Sequence, residues 1–308
     1  MAWLRALGSY LPARVVDNAE LAPLVGADAA WLLRSTGIEE RRYAAADETV
    51  ATLGIAAAKN CLEAAGIPAA DVGMAIVSSG SAERRFPGPA STIAAACGMA
   101  GKPAIDLPMA SAGSLFAIAL AAELTRAYGN VLVVASEIMS RVVRMDPAGR
   151  DTAILFGDGA GACLVSPETG FAEIVDSVLA TDGDFADALH LDFDAPLSMD
   201  GRAIILQASR KLPRAIGEVL ERNRVLPTEV GTYLLHQANL NLITRVAQAV
   251  GAPEERFFRN IARCGNTSSA SLLIAATEWW RGAGGTLGGP IVLAAFGAGL
   301  NWGALLAR

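Results

Sequence analysis

The chain has 308 residues, enough for two domains of ordinary size, and its 53% hydrophobic and 18% charged residues place it among globular proteins with a large core. A formal charge of −6 and a pI near 5.1 give no basic field for a phosphate backbone, so nucleic acid is not an expected partner. No run approaches the ~18 apolar residues that cross a bilayer, and the start Met1-Ala-Trp-Leu-Arg-Ala-Leu carries no sustained apolar signal region, so no membrane association and a cytoplasmic location are expected.

From the amino end, residues 48–65 carry the period of an amphipathic helix stopped by Gly66, and Val72-Gly-Met-Ala-Ile-Val-Ser78 reads as a buried strand. A helix is predicted around Pro89–Cys97 and a short strand at Ala104–Leu107. A long apolar helix from Ser111 to Tyr128, closed by Gly129 and buried on nearly all sides, follows. Val131–Ala135 is a further strand with the β-branched character of a parallel-sheet interior. After residue 165 the cadence recurs. A helix within Ala203–Arg222, interrupted by Pro213, precedes strand Tyr233–Leu235, helices Leu240–Val250 and Ser268–Trp280, and strand Ile291–Ala295. The alternation implies an α/β fold with helices on both faces of mostly parallel sheets. It divides into two similar halves, residues 1–166 and 167–308.

Four cysteines, Cys61, Cys97, Cys163 and Cys264, stand far apart with no C-x-x-C pair, the pattern of buried thiols rather than of a metal or dithiol site. Gly157-Asp-Gly-Ala-Gly-Ala162 nominally satisfies G-x-G-x-x-A, but the strand-like Cys163-Leu-Val165 follows where a dinucleotide site needs a helix. No G-x-S-x-G surrounds Ser111, which counts against an α/β-hydrolase elbow.

Ser111, between Ile105-Asp-Leu-Pro-Met-Ala and the apolar helix, is by itself an ordinary helix cap. His236, one of two histidines, is by itself an ordinary core residue after a strand. Taken together, Asp106 before a strand-to-helix turn, Phe156-Gly-Asp-Gly-Ala-Gly161, His236-Gln-Ala-Asn239, Gly265-Asn266-Thr-Ser268 and Phe296-Gly-Ala-Gly299 follow the order and spacing of the ketoacyl synthase III branch of the thiolase-like enzymes. The chain resembles that family over nearly its whole length, except that the family's nucleophilic cysteine is Ser111 here.

The resemblance implies a five-layered αβαβα fold, with the nucleophile in the first half and His and Asn in the second. In such enzymes the nucleophile takes an acyl group from acyl-CoA, and His and Asn assist decarboxylation of a malonyl thioester whose enolate attacks that group. By position, Ser111, His236 and Asn266 are the implied catalytic residues, and the backbone N–H groups of Ser111 and Ala298 the implied oxyanion donors. Trp31, Arg150, Asn239 and Phe296 match coenzyme A contacts, and Phe86 matches a residue inserted into the partner's acyl pocket across a homodimer. No metal or cofactor is implied; acyl-CoA is a substrate. A serine hydroxyl, unlike a cysteine at a helix start, needs a base within reach, and His236 is the candidate. The family's carrier-protein-binding basic residues are thinned: Asn241 stands where an arginine is usual and Gln248-Ala249 at a commonly dibasic place, with Arg210, Lys211, Arg214 and Arg245 nearby in sequence. Binding of malonyl-acyl carrier protein is therefore expected to be weak. A non-condensing priming or ester-forming acyltransferase and a catalytically silent dimerisation partner are the alternatives.

Overall fold

The computed structural model describes residues 1–308. Strands β1 (Trp3–Tyr10), β2 (Val72–Ser78), β3 (Ala104–Leu107), β4 (Asn130–Ile138) and β5 (Asp158–Ser166) form the first half. Strands β6 (Ala172–Thr181), β7 (Thr232–Leu235), β8 (Ile291–Gly297) and β9 (Asn301–Ala307) form the second. They lie side by side in the order β7-β8-β9-β6-β1-β5-β4-β2-β3. The seam between halves is narrow, with Trp3 opposite Glu173 and Leu4 opposite Ala172.

Outward from that seam each half repeats one topology: antiparallel, antiparallel, then parallel pairing. The first half ends in β3, parallel to β2. In the second half that outermost strand shrinks to one parallel bridge, Phe257 on Tyr233, whose rings stack at 4.3 Å. The sheets are thus mixed rather than mostly parallel. The strands unannounced in the sequence, β1, β6, β9 and most of β5, are the antiparallel ones, which need no crossover helix.

Six main helices complete five layers. α1 (Val50–Ala65) and α2 (Pro89–Ala96) cover the first sheet, α4 (Gly201–Arg222) covers the second with α5 (Leu240–Val250) packed beside it, and α3 (Gly113–Tyr128) and α6 (Ser271–Gly282) lie between the sheets. α1 is held by a Thr49–Thr52 capping box and ends at left-handed Gly66. α4 runs unbroken through Pro213, because Leu212, Ala215 and Ile216 on either side are buried against the second sheet. The first two turns of α3 are enclosed on nearly every side; beyond them one face stays buried through Ala121 and Thr125, while Leu120 is 43% exposed. All four cysteines are free and buried, and burial pushes the Cys61 and Cys264 thiols up to about 12. No helix is long and apolar enough to cross a membrane.

The glycine run Gly157–Gly161 lies largely within β5 and serves packing. A Cβ at Gly161 would fall 2.5 Å from the Leu273 Cβ and 3.0 Å from the Ile274 nitrogen, so its absence lets α6 settle on the strand. Gly161→Ala is expected to destabilise the protein by about 1–3 kcal/mol, the usual cost of overpacking, read as a lowered urea midpoint against the unsubstituted chain.

Candidate active site

The two central helices begin at one place, and the site is built there. Ser111 lies two residues before α3 with φ +60°, so the helix starts at Gly113 and the serine side chain does not cap it. Holding an L-residue in this region costs roughly 1–2 kcal/mol, and such strain persists only where the surroundings enforce it. Here they do. Gly297, at the end of β8, crosses so closely that a Cβ on it would lie 2.8 Å from the Ser111 Cβ and 2.3 Å from the Ala110 carbonyl oxygen. Gly113 is pressed likewise against the Ser78 hydroxyl. From the other half, Ser268 Oγ accepts the Ser111 N–H at 3.0 Å. Ser268 precedes α6 much as Ser111 precedes α3, and it too is left-handed, with φ +47°.

His236 follows β7 directly and is buried. Its Nδ1 lies 2.5 Å from Ser271 Oγ, which accepts the Gln237 N–H at 3.1 Å. We assign the tautomer from this network: beside the Gln237 N–H that it accepts, the Ser271 hydroxyl has Nδ1 as its one hydrogen-bonding neighbour, and donating its proton there leaves the ring hydrogen on Nε2. Burial pushes the imidazole pKa down to about 4, so the ring is a neutral donor at physiological pH. Both facts weaken the expectation that His236 deprotonates Ser111.

Asn266 is fixed by its backbone, its N–H donating to the Leu155 carbonyl at 2.9 Å and its carbonyl accepting from Gly157 at 3.0 Å. Its Oδ1 accepts the Ser268 N–H at 2.9 Å, which turns the Nδ2 donor the other way. Ser111, His236 and Asn266 line one pocket of about 670 Å³, mouth included. Leu155, Phe156, Met199, Ile204 and Leu242 make its walls predominantly apolar. Two neutral N–H donors and a hydroxyl converging in such a pocket suit charge that builds on a carbonyl oxygen.

Asn239 and Phe296 also line the pocket, but the Asn239 amide is engaged, accepting from the Asn241 N–H at 2.8 Å and donating to the Ser35 carbonyl at 2.9 Å. The Arg150 guanidinium stands 5.2 Å from the centre of the Trp31 ring, and Trp31 packs against the apolar cluster that contains Phe156 of the pocket wall. The Ala298 N–H makes no hydrogen bond within the chain, whereas the other expected oxyanion donor, the Ser111 N–H, is occupied by Ser268. Phe86 lies outside the pocket and is 86% exposed. Sequence reasoning assigned no role to Ser268 or Ser271; the serine-rich run Thr267–Ser271 before an apolar helix was the available signal.

A repeated mixed α/β half, two helices enclosed between the sheets and a site at their amino ends define a thiolase-like enzyme. Residues 105–183 match the 3-oxoacyl-[acyl-carrier-protein] synthase III family, and residues 220–308 match its C-terminal part. The chain is 37% identical over 312 residues to the beta-ketoacyl-[acyl-carrier-protein] synthase III 1 of Vibrio vulnificus strain YJ016, covering 98% of this chain and 97% of that protein. Against the 3-oxoacyl-[acyl-carrier-protein] synthase III of Aquifex aeolicus VF5 the TM-score is 0.95 at 33% identity, with both chains fully covered. The priming β-ketosynthase of the R1128 polyketide pathway gives a TM-score of 0.93 at 32% identity, covering 100% of this chain and 96% of that one. The chain belongs to the 3-oxoacyl-[acyl-carrier-protein] synthase III family.

Because the His236 pKa is depressed to about 4 from an unfolded value near 6.5, the unfolded chain binds a proton that the folded one refuses between those values. This residue's stability contribution is therefore expected to be lost as pH falls from about 6.5 to about 4, by roughly 3 kcal/mol in all. His236→Gln should flatten the fall in melting temperature across that window; an unchanged slope would count against the depressed value.

Proposed function

We propose that the chain takes an acyl group from acyl-CoA onto Ser111 and condenses it with a malonyl thioester, the initiating step of a fatty-acid or polyketide chain. The observation that carries this reading is that His236 and Asn266 line the pocket that holds Ser111 while Ser271 engages His236 Nδ1 and Ser268 engages Asn266 Oδ1, which leaves Nε2 and Nδ2 for a substrate. Family membership supports it.

In the first half-reaction the Ser111 oxygen attacks the acyl carbonyl, the hydroxyl proton passes by way of a base to the departing sulfur, and coenzyme A leaves as the thiol. His236 is poorly suited to be that base, so acylation is the slow half. In the second, the malonyl carboxylate leaves as carbon dioxide while charge moves onto the thioester oxygen, where His236 and Asn266 donate. The resulting carbon nucleophile attacks the acyl group, the bond to Ser111 breaks, and the serine oxygen regains a proton from solvent. Trp31 and Arg150 are proposed to receive the adenine end of coenzyme A, since an aromatic face and a guanidinium both stack on a purine. Ser111 acylation is expected as a mass increase on its peptide after incubation with a short acyl-CoA, and Ser111→Cys should raise condensation by an order of magnitude or more. An inactive cysteine variant would favour a non-condensing acyltransferase. A silent dimerisation partner is the second reading, favoured by the weak basicity of His236; no adduct with any of a panel of acyl-CoAs would support it.

A homodimer is part of the proposal. Edge strand β3 leaves one side unpaired, with Ile105 at 41% exposed, and Phe86 projects nearby beside Asp106 and Leu107. For the carrier-protein partner, Lys211 is committed elsewhere: it pairs with Asp182 and sits 4.2 Å from the Trp302 ring centre. Arg210, Arg214 and Arg245 remain exposed. Each exposed charge pair contributes only about 0.2–1 kcal/mol, so acyl carrier protein should bind weakly and be released by moderate salt in a titration; tight binding at moderate salt would contradict this.

A further inference from the structure

We propose that Glu137 is a positioning residue for this chemistry, its carboxylate fixing the Ser268–Ser269 turn that holds both Ser111 and Asn266. Glu137 is the penultimate residue of β4 and fully buried. Its partners are neutral donors, disposed evenly about its two oxygens. Oε1 accepts from Ser269 Oγ at 2.6 Å, Ser269 N–H at 3.3 Å and Gly80 N–H at 3.1 Å. Oε2 accepts from Ser81 Oγ at 2.6 Å, Ser79 Oγ at 3.2 Å and Gly80 N–H at 3.0 Å. The turn after β2 therefore engages both oxygens, while the second half of the chain reaches Oε1 alone.

A buried carboxylate is costly unless every lone pair is met, and losing one partner leaves charge uncompensated. Such a group is a poor space-filler and a strict locator. Ser269 is the residue it locates. The adjoining Ser268, held left-handed, donates its N–H to Asn266 Oδ1 and accepts the Ser111 N–H. Shifting Ser269 would rotate the Asn266 amide and release the Ser111 backbone together, while His236, set by Ser271, keeps its place.

The inference rests on the functional reading above, so its test has two arms. With malonyl-CoA as probe, Glu137→Gln and Ser269→Ala are expected to lower kcat for decarboxylation about 10- to 100-fold, the effect of roughly an ångström of misplacement, with KM little changed. Glu137→Asp, which keeps two accepting oxygens, should recover part of the loss. An unchanged kcat in folded Ser269→Ala, or a loss confined to melting temperature, overturns the assignment. The second arm needs no biosynthetic activity. In the Ser111→Cys background, iodoacetamide alkylation followed against pH reads the turn directly. Ser269→Ala, which changes no charge, is expected to shift the midpoint of that profile. If the unsubstituted protein is inactive the functional reading fails, and the alkylation profile alone decides: an unshifted midpoint overturns the role of Glu137.

Discussion

Two helices begin at the same point from opposite halves of the chain, and a hydrogen bond between the residues leading into them, Ser111 N–H to Ser268 Oγ, joins those beginnings. Both residues are left-handed, a conformation neither would hold alone. Each is kept there by contacts from the other half. Gly297 presses on Ser111 from the second sheet, and Glu137 reaches the Ser268–Ser269 turn from the first. The halves therefore need each other not only to bury apolar faces but to enforce a geometry that local sequence would refuse.

How legible this was follows from what each feature depends on. Strands β2, β3, β4, β7 and β8 stood out because crossover helices separate most of them, so hydrophobic period and glycine stops mark them. Strands β1 and β6 carry mixed residues such as Arg5, Glu173 and Asp176 and lie at the seam, where the pattern is set by the partner half. The site was legible as a set of blocks. Ser111, His236 and Asn266 share a pocket, as their order implied. What the blocks did not convey was direction: which nitrogen of His236 faces the pocket depends on Ser271, and which end of the Asn266 amide depends on Ser268. Those are distances across the fold, and no spacing encodes them.

The pocket's chemistry is lopsided in a useful way. It offers donors and few acceptors, and its histidine is kept neutral by burial. Such a site stabilises negative charge without carrying positive charge that would hold an anion after reaction. It is correspondingly poor at removing protons. The residues lining the pocket include no carboxylate, so a hydroxyl here has little help in shedding its proton.

The near-symmetry of the two halves breaks at one end. The first sheet finishes in a true strand, β3, whereas the second finishes in Phe257 alone, stacked flat on Tyr233. Were both ends strands with an open side, copies could join first end to second end without limit and grow into a fibre. With the second end reduced to a single bridge, that head-to-tail route is curtailed, and any pairing through the open side of β3 would have to be like to like. The truncated repeat thus takes away one of the two edges by which such a sheet could be extended.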